Sequence, residues 1–313
     1  MAVDSLWSSV TLLLPCSSDL LDVKGHTVTV NGGAALSSAQ APAGCTSSIA
    51  LDGNNDYLVV SSPLDALGAG DWAIEIPVYR SGDTVSGTGN AASILDFRTS
   101  DTQAAIQIYL YGSTSAQPNK VAVYINGADR IVSSTALSSS FKLITLAKVS
   151  GTLRLFFDGV QEGSSYTDSN TYSTTSLTIG GRYAGLSGDF RSLNGYIGPI
   201  RITFGNGRGY SSAFSPPSLP FPRPTISGVV LNSSAAPVEK TILVVDRSSQ
   251  RMLGGTTSSP STGAYLFYPP DFGECEVKRL DEVCDPPTHE AVFSLDCRGK
   301  PGGLIHTDHF GTL

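Results

Sequence analysis

Apolar and polar side chains alternate at period two through most of this chain, in short stretches bounded by Gly, Asn, Asp and Ser, and rarely recur at the three-and-four spacing of a helix. Such alternation sends successive side chains to opposite faces of a pleated strand. Strands that are apolar on one face need a second layer to bury that face, so the pattern predicts sheet stacked on sheet. Composition agrees: 33 Gly, 18 Pro, 15% charged residues and only two Met leave few helix formers and many turn residues. The predicted fold class is all-β.

The stretch DWAIEIPVYR at 71–80 shows the pattern most fully. Trp72, Ile74, Ile76 and Val78 share one face, and Ala73, Glu75, Pro77 and Tyr79 share the other. Pro77 has no amide to donate, which predicts a bulge or a strand edge. Further strands are read at Trp7 to Leu14, at HTVTVNGGA (26–34), in SILDFRT, AIQIYLYG and VAVYING (93–127), in FKLITLAKVSGTLRLFFDGVQEG (141–163) and in SLTIGGRY (176–183). Ser150-Gly151 and Asp158-Gly159 suit hairpin turns. SIALDGNNDYLVVS (48–61) is read as a hairpin hinged on Asp52, Gly53, Asn54 and Asn55. At least ten strands by Thr203 predict two stacked antiparallel sheets.

After the strand YIGPIRITF, Pro216, Pro217, Pro220, Pro222 and Pro224 deny a ladder its donors and predict an extended spacer, with Leu219 and Phe221 able to dock on what precedes them. Beyond it, Ile226 to Leu231, Ile242 to Val245, Leu253 and Tyr265 to Tyr268 read as four short strands, with turns at Ser233–Pro237, Ser248–Gln250 and Ser259–Gly263. VFSLDC (292–297) and GLIHTDHF (303–310) are read as closing strands of a charged, less periodic tail. The predicted organisation is a domain at 1–214, a proline-rich linker at 215–224 and a smaller β module at 225–313; 313 residues suit two domains.

A net charge of -7 and a pI near 5.0, with scattered basic residues, argue against nucleic acid as a partner. No run of 18 apolar residues predicts membrane insertion, and VTLLLPC follows Asp4 instead of a basic region, so no signal peptide is read. Five cysteines, an odd number, predict reduced packing thiols in a chain folded in a cytoplasm. Zinc held by Cys275, Cys284, Cys297 and His289, with His306 and His309 nearby, or a disulfide among those cysteines, are the competing readings; no C-x-x-C pair supports the metal. Cys16 and Cys45 form another possible pair.

Taken together, WSSVTLLL, GHTVTVNGGA, LDGNNDYLVV, GAGDWAIEIPVY, GTLRLFFDGV and GYIGPIRIT followed by SPPSLPFP resemble the laminin-G-like domains of the concanavalin A-like jelly-roll class, in the version found in tailed-bacteriophage virion proteins. The resemblance covers about residues 5 to 222. TISGVVLNSSAAPVEKTILVVDRSSQRMLGGTTSSPSTGAYLF, from 225, resembles small immunoglobulin-like modules of the carboxypeptidase regulatory type. Together they imply a jelly-roll β-sandwich followed by an Ig-like one, in a tail, fibre or head-attached virion protein assembled in the host cytoplasm. Family members carry acids after the first strand and after the GYI of the last. Pro15, Cys16, Ser17 and Ser18 stand at the first place and Gly198 and Pro199 at the second, so a calcium site is not expected.

Jelly rolls of this class include glycosidases, which set two carboxylates across the scissile bond. The comparable strand here offers Glu75 alone, between Ala73 and Pro77. His26 stands without a G-x-S-x-G elbow, and it reads as a surface residue at a strand start. Asp52, Asn54, Asn55 and Asp56 lack the spacing of a calcium loop and read as a turn. No catalytic, metal or cofactor residue is predicted. For sugars the candidates are Tyr109, Tyr111 and Tyr124 on central strands and Arg182 and Tyr183 at a strand end, with core packing or plain exposure as the competing reading of each. The expected function is a non-enzymatic virion component that contacts a host-surface glycan or packs on other virion subunits, as a homo-oligomer. A secreted carbohydrate-binding module and a glycan hydrolase acting through Glu75 are the alternatives.

Overall fold

The structure, a computed structural model, describes residues 4–61, 67–83, 91–100, 105–183, 191–222, 226–229, 235–237, 241–246, 252–267, 274–280 and 292–296. Two compact units divide it: Ser9–Phe221, and Pro222–Leu313 together with Met1–Ser8.

The larger unit is built from sixteen strands among the described residues. In chain order these are β1 (Val10–Leu14), β2 (Thr27–Asn31), β3 (Ala35–Ser37), β4 (Ser48–Asp52), β5 (Tyr57–Ser61), β6 (Trp72–Arg80), β7 (Ala91–Asp96) and β8 (Gln107–Tyr111). They continue as β9 (Lys120–Ile125), β10 (Ala128–Ala136), β11 (Lys142–Val149), β12 (Thr152–Phe157), β13 (Val160–Thr167), β14 (Leu177–Ile179), β15 (Asn194–Ile197) and β16 (Ile200–Phe204). One sheet runs β13-β12-β11-β6-β15-β4-β3, with β16 continuing beside β6 and pairing β1 on its other side. The second runs β10-β9-β8-β7-β14-β5-β2, and all pairings are antiparallel.

The all-β class is as expected. Trp72, Ile74, Ile76 and Val78 enter one apolar core with Ile94, Ile108, Leu110, Val121, Val123 and Ile125 of the opposite sheet. Burial of this kind contributes about 25 cal/mol per Å² of apolar surface removed from water. Ser150-Gly151 joins β11 to β12 and Asp158-Gly159 joins β12 to β13, with both residues of each turn at positive φ. That geometry matches the twist of the flanking strands.

Two local expectations need correction. SIALD and YLVVS do not pair: β4 lies in the first sheet and β5 in the second, so Asp52–Asn55 is a corner between sheets. Hairpins and corners draw on the same turn residues, and what distinguishes this one is Asp56. Its carboxylate accepts the amides of Asp52, at 3.0 Å, and Gly33, so the chain leaves one sheet without stranding its donors. Pro77 marks neither a strand edge nor a bulge in its own strand, because β6 is central and pairs β11 in unbroken register. The break lies on the partner: Gly198-Pro199 separates β15 from β16, and the Gly198 amide donates to the Pro77 carbonyl at 2.8 Å.

Past β16 the chain folds back over the first sheet. Tyr210 stacks on Phe214 at 3.8 Å between centroids, and Phe214 meets Phe156 of β12 edge-on. Phe221 is buried under the Arg201 guanidinium, at 4.2 Å. Residues 215–221 of the proline-rich segment therefore belong to the larger unit.

In the smaller unit, β17 (Ile226–Val229), β18 (Thr241–Asp246), β19 (Met252–Thr257), β20 (Ala264–Phe267), β21 (Glu274–Leu280) and β22 (Val292–Asp296) form a β17-β20 pair and a sheet ordered β19-β18-β21-β22. Strand β21 is not among the strands read from the sequence. Its ECEVKRL sets apolar Cys275, Val277 and Leu280 among four charges, and Arg279 breaks the period, which masks the alternation. Cys284, His289, Cys297, His306 and His309, and the GLIHTDHF stretch, lie outside the described residues.

Candidate functional site

The outer face of the second sheet carries a cavity of about 520 Å³ lined by Ser93, Arg98, Gln107, Tyr109, Tyr111, Tyr124, Arg182 and Arg191, among others. Strand alternation puts most of it there. Ile108 and Leu110 of β8 enter the core while Gln107, Tyr109 and Tyr111 face out, and Val121, Val123 and Ile125 of β9 do the same opposite Ala122 and Tyr124. In β7 the register slips between Ser93 and Leu95. This bulge lets Ser93 pair with Tyr109 and Asp96 with Gln107, so both share the outward face although they are three residues apart.

The floor is polar and buried. Asp96 accepts two bonds from the Arg98 guanidinium, at 2.9 and 2.8 Å, one from the Arg98 amide at 3.0 Å and one from the Tyr183 amide at 3.2 Å. Arg98 also donates to Gln107 Oε1 at 2.7 Å, and Gln107 Nε2 donates to Ser93 Oγ at 3.1 Å. A planar guanidinium gripped on one edge is held in a single orientation. Its faces meet Tyr124 at 5.4 Å and Tyr183 at 5.6 Å, and Arg182 lies against the Tyr183 ring at 5.6 Å.

The wall is aromatic. Tyr109 donates to Asp129 of β10 at 2.9 Å, and Tyr111 donates to the same carboxylate. Tyr109 reaches Asp129 diagonally across β9, where Tyr109 pairs with Ala122 and Asp129 pairs with Tyr124. The two rings meet edge-on at 5.0 Å. Burial first, then the hydrogen-bonded carboxylate, pushes both phenols above their ordinary pKa, so each keeps its proton and commits it to Asp129. Ring surface and phenolic lone pairs then remain for a ligand. Half-exposed rings beside a buried, oriented polar floor can stack on the C–H face of a sugar and hydrogen-bond its edge.

Tyr109, Tyr111, Tyr124, Arg182 and Tyr183, scattered over 75 residues of sequence, are thus brought together at one site. Arg98, Asp96, Gln107, Ser93, Asp129 and Arg191 were not singled out. Their signal was weak because the β7 bulge reverses the parity of SILDF, placing Ser93 and Asp96 on opposite faces in a simple alternating count.

Elsewhere the candidates have structural roles. Glu75 is fully buried on the outer side of β6, paired with Arg201 at 2.6 and 2.8 Å and accepting from Tyr210 at 3.0 Å, with Arg208 at 3.4 Å. Tyr210 closes over it, and this buried ion pair holds the 205–221 segment on the sheet. His26 precedes β2 and is only part-exposed, in correction of the surface reading: its Nδ1 contacts buried Asp22 at 2.5 Å. Asp22 is buried because its other oxygen takes the Leu13 amide at 2.7 Å. Cys16 and Cys45 are free thiols. Cys16 donates to the Gly198 carbonyl at 3.5 Å. Among the described residues no three His, Cys, Asp or Glu side chains are gathered as for a metal ion, and no helix is long and apolar enough to cross a membrane.

No protein-family model matches the chain, and no curated protein matches it. Among solved structures it is similar to domain 4 of AbnA, a GH43 extracellular arabinanase from Geobacillus stearothermophilus in complex with arabinotriose, at 13% identity and TM-score 0.47, over 63% of this chain and 93% of that one. A mutant of Trypanosoma rangeli sialidase displaying trans-sialidase activity gives 10% identity and TM-score 0.49, over 67% of this chain and 32% of that one. The botulinum neurotoxin serotype D binding domain gives 12% and 0.42, over 93% and 71%.

Proposed function

We propose that this protein is a non-enzymatic adhesion component whose larger unit holds a saccharide on the outer face of its second sheet. The observation that carries the reading is the pairing of a buried Arg98–Asp96–Gln107–Ser93 floor with half-exposed Tyr109, Tyr111 and Tyr124. The carboxylates nearest the cavity support binding over catalysis. Asp96 is bound by Arg98, and Asp129 accepts from two phenols, so neither is set as a general acid or base. Glu75, the carboxylate a hydrolase would need, lies closed under Tyr210 on the other sheet.

The resemblance of about residues 5–222 to jelly rolls of tailed-phage virion proteins supports a place on a virion, where such a face would meet a host-surface glycan. Titration of the full chain with an oligosaccharide panel tests the binding, with polymer length followed in parallel. Saturable heat with no shortening is expected; shortening of any polymer would contradict the non-enzymatic reading. Peptide mass spectrometry of purified particles tests the placement, and absence of this chain from them would contradict it.

A further inference from the structure

The two ends of the second sheet differ. At one, β10 is closed against β13 of the first sheet: Glu162 accepts the Thr135 amide at 2.9 Å and its hydroxyl at 2.8 Å, and the Gly163 amide donates to Ser134 Oγ at 3.1 Å. A methyl at Gly163 would fall 2.3 Å from the Val132 carbonyl oxygen, so the two strands lie in contact. At the other end β2 pairs with β5 and, among the described residues, with no strand beyond it. Thr27, Thr29 and Val30 are exposed there.

A bare strand edge is a template for another strand, and proteins blunt such edges with lysine, proline or a bulge. TVTVN has no charge and no proline, and its register with β5 runs unbroken from Thr27 opposite Ser61 to Asn31 opposite Tyr57. The Asn31 side chain reaches the Thr29 carbonyl at 3.3 Å, a long bond that an incoming amide can replace. Val28 and Val30 stand opposite Val60 and Leu58, both in the core, so they share the core face. Val30 is nonetheless 43% exposed, an apolar side chain left open at the rim of the core.

The strand is also self-complementary. Turned antiparallel on itself about Thr29, it sets threonine against threonine, Val28 against Val30 and Thr27 against Asn31, pairs that support a ladder and bring no like charges together. In a chain of net charge -7 a charged face repels its own copy, and this edge does not.

We infer that β2 pairs with the β2 of a second copy of this chain, about a two-fold axis through Thr29, and joins the two second sheets into one. The ladder is short, so association is weak and concentration-dependent. The axis stands perpendicular to the sheet and keeps both outer faces on one side. On the saccharide reading above, the two cavities then open the same way and engage a glycan-bearing surface at two points. The pairing itself does not rest on that reading, and its test uses no saccharide.

Sedimentation of the full chain at rising concentration should show its mass climbing from one chain toward two. Thr29→Lys and Thr29→Asp, changes at an exposed position that should melt near wild type, should each stay monomeric because like charges then meet at the axis. An equimolar mixture of the two variants should associate again. Hydrogen exchange of the unaltered chain reads the same contact without a substitution: amides of 27–31 should gain protection with concentration, and those of 128–136 should not. A monomer at every concentration, a dimer indifferent to Thr29→Lys, a mixture that stays monomeric, or protection at 27–31 that ignores concentration would overturn the inference.

Discussion

Tyr109 of β8 and Asp129 of β10 sit two strands apart, yet the phenol of one donates to the carboxylate of the other at 2.9 Å across β9. The bond fixes a ring that would otherwise swing over the sheet, and burial first, with the hydrogen bonds to Tyr111 and Asp129 adding to it, holds the phenol's pKa above its ordinary value of 10.0. The folded value exceeds the unfolded one, so the proton-linked stability is complete below about pH 10 and is lost as pH climbs beyond it. Ultraviolet titration should find tyrosines still protonated where free tyrosine is half ionised. Asp129→Asn should bring Tyr109 and Tyr111 partway down, because their burial remains.

Glu75→Gln leaves Arg201 buried without its counter-charge. Breaking a buried pair this way costs about 3–5 kcal/mol, which denaturant unfolding will read. Saccharide affinity of the folded fraction should be unchanged, since the site lies on the other sheet. A loss of affinity with intact stability would point to a functional role for Glu75.

Gly159 and Gly127 share a left-handed φ in hairpin turns, at 79° and 78°, but differ in surroundings. A methyl at Gly127 meets nothing within 4 Å, whereas at Gly159 it would fall 1.9 Å from the Phe214 carbonyl oxygen. Gly127→Ala should cost roughly 1 kcal/mol from conformation alone. Gly159→Ala should cost clearly more, because the 205–221 segment must lift from the sheet. Equal costs would mean that this segment is not docked in solution.

Cys16 is 1% exposed and its thiol is pushed far up by burial, while Cys45 is half-buried and raised less. The thiolate is the reactive form, so peptide mapping after alkylation of the folded chain should find Cys45 labelled and Cys16 protected. Labelling of both at equal rates would show that the strand ends around Gly198 open readily.

The sheets were legible because alternation reports burial directly: the Trp72, Ile74, Ile76 and Val78 face is where the pattern puts it. The site was legible only in part. Aromatic residues at 109, 111 and 124 stand out in any alternating count, but Asp96 and Ser93 share their face through a bulge, and no local residue pattern announces a one-residue slip in SILDF. The corner at Asp52–Asn55 shows the same limit. Turn residues give the chain's local bend, and only the distant amide of Gly33 on Asp56 reveals which sheet the chain enters next. Glu75 looked like a lone acid because Arg201, Arg208 and Tyr210 are more than 120 residues away in sequence.

The central claim, a saccharide held on the outer face of the second sheet, is tested most directly by titrating the full chain and its Tyr124→Ala variant with the tightest-binding oligosaccharide of the panel. The variant removes one half-exposed ring beside Arg98 and should fold as wild type does, with affinity reduced severalfold to about tenfold, as expected when an aromatic contact worth ~1–1.5 kcal/mol is lost. Unchanged affinity in a folded Tyr124→Ala protein would place the saccharide elsewhere and contradict the account.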